Sequence, residues 1–282
     1  EQAGAFAGRW HGAADGRIKV WLGPHAPYTC PPAFLGEVAA EARRLGLGCH
    51  IHVAETAQQV RMSLDQHGVS PVQLLEQVGL MEAPLLCAHA AHVTHEDIAI
   101  LAAHGVGVAH CPKTFLKLAA GIAPVTTMLQ QGVAVGLGSD GAASNNTLDI
   151  LEQMRLAALL QKHIQSDARM LPVGAALALA TTYGARALGQ GDSLGRLAPG
   201  YLADMILLRL DGAHMQPLHN LAAALVYSAR AGDVDTVIVN GRVLMRERRL
   251  RTLDKATIIH EVATRLERLG QRGHGRRIQT YS

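Results

Sequence analysis

The stretch "CHIHVAE", Cys49–Glu55, decides how the rest of the chain is read. Its apolar residues alternate with two imidazoles, and a carboxylate follows three residues after the second. On a β-strand successive side chains point to opposite faces, so His50 and His52 share one face. A His-x-His on a strand is a zinc pattern, and the question is which strand of which fold carries it.

Outward from that stretch the chain alternates short β-like runs with helical ones, as in a parallel α/β fold. Before it, "IKVWLGPH" (18–25) reads as a strand ending in a histidine, and residues 1–17 read as the tail of a helix. After it, "APLLCAHAAH" (83–92), "GVGVAH" (105–110) and "GVAVGLGSD" (132–140) read as three more strands. Helices are expected from Pro31–Pro32 to about Leu45, from Ala57 to His67, and after Ser70–Pro71, with proline in the first turn. Thr94 reads as an N-cap with Asp97 at the third helical position, and Gly105 as the stop. A helix of about four turns follows the Gly/Ser/Asn-rich link 141–146, and one or two more lie within 171–189.

From Gly195 the texture changes to antiparallel strands, with Asn240–Gly241 as a type I′ hairpin turn. The expected division is 1–194 as an α/β barrel portion, 195–250 as part of a small β-sandwich, and 251–282 as a helix with a basic tail.

Bulk composition excludes several classes. Hydrophobic residues at 49% and charged residues at 17% fit a globular core rather than a disordered chain. A net charge of +3, with the arginine excess near the end, gives no nucleic-acid surface. Apolar runs stop short of the roughly 20 residues a membrane span needs, and "EQAGAFAGRWHG" has neither the charged start nor the apolar core of a signal peptide. Four cysteines without C-x-x-C spacing read as free thiols, which fits a cytoplasmic location.

The fifteen histidines are the anomaly. Five strand ends carry polar groups that are costly near a core: His25, His52 with Glu55, His89, His110 and Asp140. In a parallel barrel the C-terminal strand ends converge on one mouth, where such residues meet. Imidazole and carboxylate together suit a borderline ion such as zinc. Singly, each has a bland reading: a satisfied polar residue, or for Asp140 a helix cap. Five in succession favour a shared site.

"GPHAPYTC", "HIHVAET", "AHAAH", "GIAPV", "GLGSDGAASNNTLDILEQMRLAALLQK", "GRLAPGYLADMILL" and "VIVNGRVLM" resemble the amidohydrolase superfamily, specifically its deaminases of 5-methylthioadenosine and S-adenosylhomocysteine. The resemblance runs from about 18 to 270. It implies an amidohydrolase-type (β/α)8 TIM barrel and a metal-dependent hydrolysis that releases ammonia. By resemblance, His52 and Asp140 are metal ligands and Asp140 also accepts a proton. Glu55 handles the purine ring nitrogen, His25 contacts substrate, and His89 polarises the attacked centre. The implied cofactor is one zinc per subunit, with Fe2+ or Mn2+ as alternatives. The implied partners are a small-molecule substrate and a second copy in a dimer or tetramer, with no nucleic acid and no membrane.

The family's metal pair sits on strand one, but spacing removes "HIH" from that place. Asp140 follows His52 by 88 residues, room for about three βα units at roughly 30 residues each. His52 is then the strand-five ligand, and His50 a neighbour whose role stays open. It follows that the barrel is expected to be incomplete, with strands four to eight, lacking roughly 150 residues by the same unit length. On that expectation two protein ligands remain, so the chain alone would be metal-poor and inactive. Where many relatives carry a Ser-Asn pair before "LKLA", this chain has "HCPKTFLKLAAG", with Lys113, Thr114 and Phe115. A guanine or 8-oxoguanine deaminase, a chlorotriazine hydrolase, or a non-catalytic remnant are the rival readings.

Overall fold

A computed structural model describes residues 2–272. The chain opens with α1 (Gln2–Trp10) and α2 (Pro32–Leu45), the latter with prolines at its start and Gly46 in the left-handed conformation at its end. Then β1 (Cys49–Val53), α3 (Ala57–His67), α4 (Pro71–Gln77), β2 (Leu85–His89), α5 (His95–Ala103) and β3 (Gly107–His110) follow, each strand separated from the next by one or two helices. Three of these helices start on a reciprocal capping box, in which a hydroxyl takes the N–H three residues on and that residue's side chain takes the cap's own N–H. The pairs are Thr56 with Gln59, Ser70 with Gln73, and Thr94 with Asp97. The Ser70 hydroxyl also donates to Asp97, tying α4 to α5.

Past β3 come α6 (Pro112–Leu118), α7 (Val125–Gln130), β4 (Ala134–Leu137), α8 (Ala142–Asn145), α9 (Ile150–Gln165), α10 (Val173–Leu179) and α11 (Thr182–Ala187). The sheet order is β1-β2-β3-β4, every pairing parallel. Parallel neighbours need a crossover, and the helices between them supply it. The outward strand faces, with Cys49, Ile51, Val53, Leu85, Val108 and Val135, bury against Leu35, Leu75, Ile98, Leu101 and Met128 of those helices. Full burial of one such side chain is worth about 1.5–3 kcal/mol.

The expected strand at 18–25 is not a ladder strand. One bridge, Leu22 with Cys49, joins it to β1. The chain runs extended there, with Leu22 N donating to Gly48 O and His50 N to Leu22 O. Gly23 and Pro24 then break the ladder, because proline has no N–H to give. What was expected as a five-stranded piece is thus four strands with an extended flank.

Two glycines set how α11 lies. A Cβ at Gly107 would stand 2.1 Å from the Ala187 carbonyl oxygen, and one at Gly136 would stand 2.7 Å from the Gly184 Cα. Their bare backbones let α11 press directly onto β3 and β4.

The last part holds β5 (Met205–Leu208), α12 (Leu221–Tyr227), β6 (Val234–Val239), β7 (Arg242–Arg246), β8 (Arg249–Leu250) and α13 (Lys255–Arg272). The four strands form one antiparallel sheet in sequence order, a single layer among the described residues. Asn240 and Gly241 both take positive φ, 47° and 73°, as the hairpin requires. Val226 of α12 packs on Met154, Ala158 and Ala176, so this helix joins α9 and α10. The basic tail beyond 272 lies outside the described residues.

Candidate active site

The parallel register brings the strand ends level. Val53 pairs with His89, Ala88 with Ala109, and His110 with Leu137. On β1 the odd positions are buried, while His50 is exposed and His52 half-buried on the opposite face.

His25, His52, Glu55 and His89 come together. The ring centroids of His25 and His52 are 5.0 Å apart, and those of His52 and His89 are 5.3 Å apart with the planes only 21° from parallel. His50 lies alongside, 6.4 Å from the His52 ring. Glu55 Oε1 is 3.8 Å from His89 Nε2. Glu55 begins the turn into α3, where Gln59 anchors it: the Glu55 N–H donates to Gln59 Oε1 at 3.0 Å.

His52 Nδ1 is 2.7 Å from the His25 carbonyl oxygen. A carbonyl only accepts, so Nδ1 carries the proton and Nε2 presents its lone pair. His25 Nδ1 in turn is 2.8 Å from the Thr29 hydroxyl, whose own proton goes to Ala26 O.

His89 is almost wholly buried, with φ at +76°. Burial pushes its pKa below the ordinary imidazole value, although the charges of Glu55 and Asp140 pull the other way. The ring is therefore neutral at neutral pH. His110 is buried completely, which holds its pKa at about 3. Phe115 of α6 lies against both rings, 5.7 Å from His89 and 5.4 Å from His110. Neither nitrogen of His110, nor His89 Nδ1, has a hydrogen-bond partner among the described residues.

Asp140 stands three residues past β4, in the left-handed region at φ +59°. Its Oδ1 accepts the Gly141 N–H at 2.6 Å. It reaches His89 through charge rather than a hydrogen bond. Other histidines serve elsewhere: His92 Nε2 meets Ala120 O, and His104 pairs with Glu76 at 3.0 Å.

The donor set suits a borderline divalent ion. His52 Nε2 is left free by its tautomer, and Asp140 Oδ2 by the use of Oδ1. Among the described residues no group of three or more His, Cys, Asp or Glu side chains could hold an ion together. The four cysteines are buried free thiols and take no part.

Sequence reasoning passed over Gln59 and Asn145, and took Phe115 only as part of a departure from a Ser-Asn pair. Gln59 could have been found from the Thr-x-x-Gln box, and Asn145 from the Gly/Ser/Asn-rich link. Nothing in the sequence shows that Phe115 packs against the rings of His89 and His110.

The profile of the amidohydrolase family matches residues 2–244. The chain is 52% identical over 264 residues to a 5-methylthioadenosine/S-adenosylhomocysteine deaminase of Desulforudis audaxviator, covering 94% of this chain and 61% of that protein. It is 51% identical to the protein of the same name in Pelotomaculum thermopropionicum, covering 95% of this chain and 62% of the relative. Among solved structures it superposes with a TM-score of 0.91 and 34% identity on an adenosine deaminase from Xanthomonas campestris with bound zinc, over 96% of this chain and 61% of that one. A zinc complex of atrazine chlorohydrolase from Arthrobacter aurescens gives a TM-score of 0.84 at 29% identity, over 93% and 58%. The chain thus spans about three fifths of the length of these relatives.

Proposed function

The chain belongs to the amidohydrolase family, and from that premise we propose that its strand-end site serves the hydrolytic deamination of 5-methylthioadenosine and S-adenosylhomocysteine. Water replaces the amino group at carbon 6 of the adenine ring, giving an inosine-type product and ammonia. The observation that carries the reading is the cluster of His25, His52 and His89 beside Glu55, His52 and His89 stacked, with His52 Nε2 turned free.

His52 and Asp140 are the side chains that would hold a divalent ion, zinc by the chemistry of the donors. Such an ion, when bound, supplies the Lewis acidity that brings the pKa of water toward about 7. Asp140 accepts the proton that the attacking water gives up. Glu55 delivers a proton to the ring nitrogen next to carbon 6, so the purine can take up the electron pair. Neutral His89 donates a hydrogen bond to the oxygen forming on carbon 6, and its burial keeps that donor dry. His25, exposed and braced by Thr29, faces the substrate. General acid–base steps of this kind each contribute about 10²–10⁴-fold.

The test follows the leaving group over a substrate panel, ammonia from the purines and chloride from the chlorotriazines. It uses a fusion in which the part of the D. audaxviator relative not matched by this chain is joined to it, with the relative itself as control. Preference for 5-methylthioadenosine or S-adenosylhomocysteine over guanine, 8-oxoguanine and chlorotriazines is expected. A folded, zinc-loaded fusion that releases ammonia from neither thioether nucleoside would defeat the reading.

A further inference from the structure

Asp140 occupies the left-handed backbone region, at φ +59°, where residues other than glycine are uncommon and are held by their surroundings. Its own side chain contributes a single local bond, to Gly141. The restraint comes from the loop that follows. Asn145, fully buried, donates through Nδ2 to Ser139 O at 2.6 Å, gripping the peptide unit directly in front of Asp140. The Thr147 hydroxyl lies 3.0 Å from Asn145 Oδ1 and 2.5 Å from Glu152 Oε2, so its one proton is shared between two acceptors.

Lys113 closes this set from another element. On the first turn of α6, its Nζ donates to Glu152 Oε2 at 2.8 Å and to Thr147 Oγ1 at 2.9 Å, while its backbone N–H donates to buried Gln153 at 3.1 Å. The Lys113 and Glu152 side chains are 23% and 31% exposed, which shields the pair more than an ordinary surface bridge. Burial pulls the Glu152 carboxyl up, yet the bonds from Lys113 and Thr147 prevail and leave it below its ordinary value. One turn on, Lys117 donates to Ala143 O and Asn146 Oδ1, at 2.6 and 2.7 Å, fastening the same loop at a second place.

We propose that Lys113 is a positioning residue for Asp140: by clamping Thr147 and Glu152 it fixes the loop whose Asn145 sets the peptide in front of that carboxylate. The role of Asp140 itself rests on the deaminase reading; the clamp is tested without it.

The measurement uses this chain, free of substrate, in Lys113→Met, Lys113→Arg and Glu152→Gln forms. The Gly141 amide proton, bonded to the Asp140 carboxylate, reports its orientation by chemical shift. With Lys113→Met and Glu152→Gln that signal moves upfield and hydrogen exchange across 139–147 quickens by about tenfold or more, while β1 to α5 keep their protection. Lys113→Arg, which keeps the charge and the donors, restores both. An unmoved Gly141 signal, acceleration spread evenly over the chain, or no recovery with arginine would each overturn the proposal. In the fusion enzyme, Lys113→Met lowers kcat by about tenfold with KM within about twofold; a rise in KM alone would make Lys113 a substrate contact instead. A protected loop in a fusion that deaminates nothing would sink the functional reading and leave the clamp standing.

Discussion

His52 Nδ1 donates its proton to the backbone carbonyl of His25 at 2.7 Å, so the ring of one strand is oriented by the main chain of the extended segment beside it. The bond uses no side chain of residue 25, and it fixes both tautomer and tilt. The second nitrogen of a metal-ligating histidine is held in this manner in most metal sites.

That relationship predicts a tautomer. At a pH above the imidazole range, long-range proton–nitrogen correlation should place the His52 proton on Nδ1. Added zinc should then broaden or shift Nε2 first. Finding the proton on Nε2 would remove His52 from the ligand set.

Glu55→Gln keeps the shape of the side chain and removes its acid. Glu55 is 18% exposed, and its anchor, the bond from its backbone N–H to Gln59, survives the change. Thermal stability should move little, while kcat in the zinc-loaded fusion falls by about 10²–10⁴-fold. A variant with more than a tenth of normal activity would take proton delivery away from Glu55.

Buried thiols give a pH dependence. Burial raises Cys87 and Cys111 to about 12, and Cys49 to about 11, from an ordinary 9.0. The unfolded chain therefore releases these protons first as pH rises, and stability falls from about pH 9 towards 11–12. One thiol with its pKa raised this far costs about 1 kcal/mol at pH 10 relative to pH 8. Urea midpoints at the two pH values check the direction, and Cys87→Ala should flatten the slope. Native thiols should also resist a disulfide reagent at pH 8 until the protein is unfolded.

Gly107→Ala should destabilise by about 3 kcal/mol or more, because the added methyl meets the Ala187 backbone and not a movable side chain. Gly8→Ala on α1, where nothing lies within 4 Å, should instead gain about 0.5–1 kcal/mol. Chemical denaturation of the pair separates a steric demand from a general dislike of substitution.

Much of this was legible in advance, because hydrophobic alternation and capping chemistry are local. "CHIHV" gave a strand with its histidines on one face, and Thr94 with Asp97 gave a helix start. The strand expected over 132–140 ends instead at Leu137. Gly138 N still reaches His110 O, but Asp140 turns left-handed and leaves the sheet. No pattern in the residues announces that turn, since it depends on Asn145 and the elements behind it. Phe115 was opaque for the same reason: its partners, His89 and His110, belong to other strands. The helix Leu221–Tyr227 hid inside a stretch read as β because its apolar face answers to α9 and α10, far back in the chain.

Asp149 has a carboxylate with two employers. One oxygen accepts the N–H groups of Leu151 and Glu152 at the start of α9, and the other accepts the N–H of Ala231 at 3.0 Å, on the approach to β6. Arg155, two turns into the same helix, adds a bond to Ala229 O. Fraying the head of α9 thereby loosens the hold on the approach to the appended sheet. Asp149→Ala should weaken both portions, and calorimetry that shows only one of them affected would separate the two roles of this carboxylate.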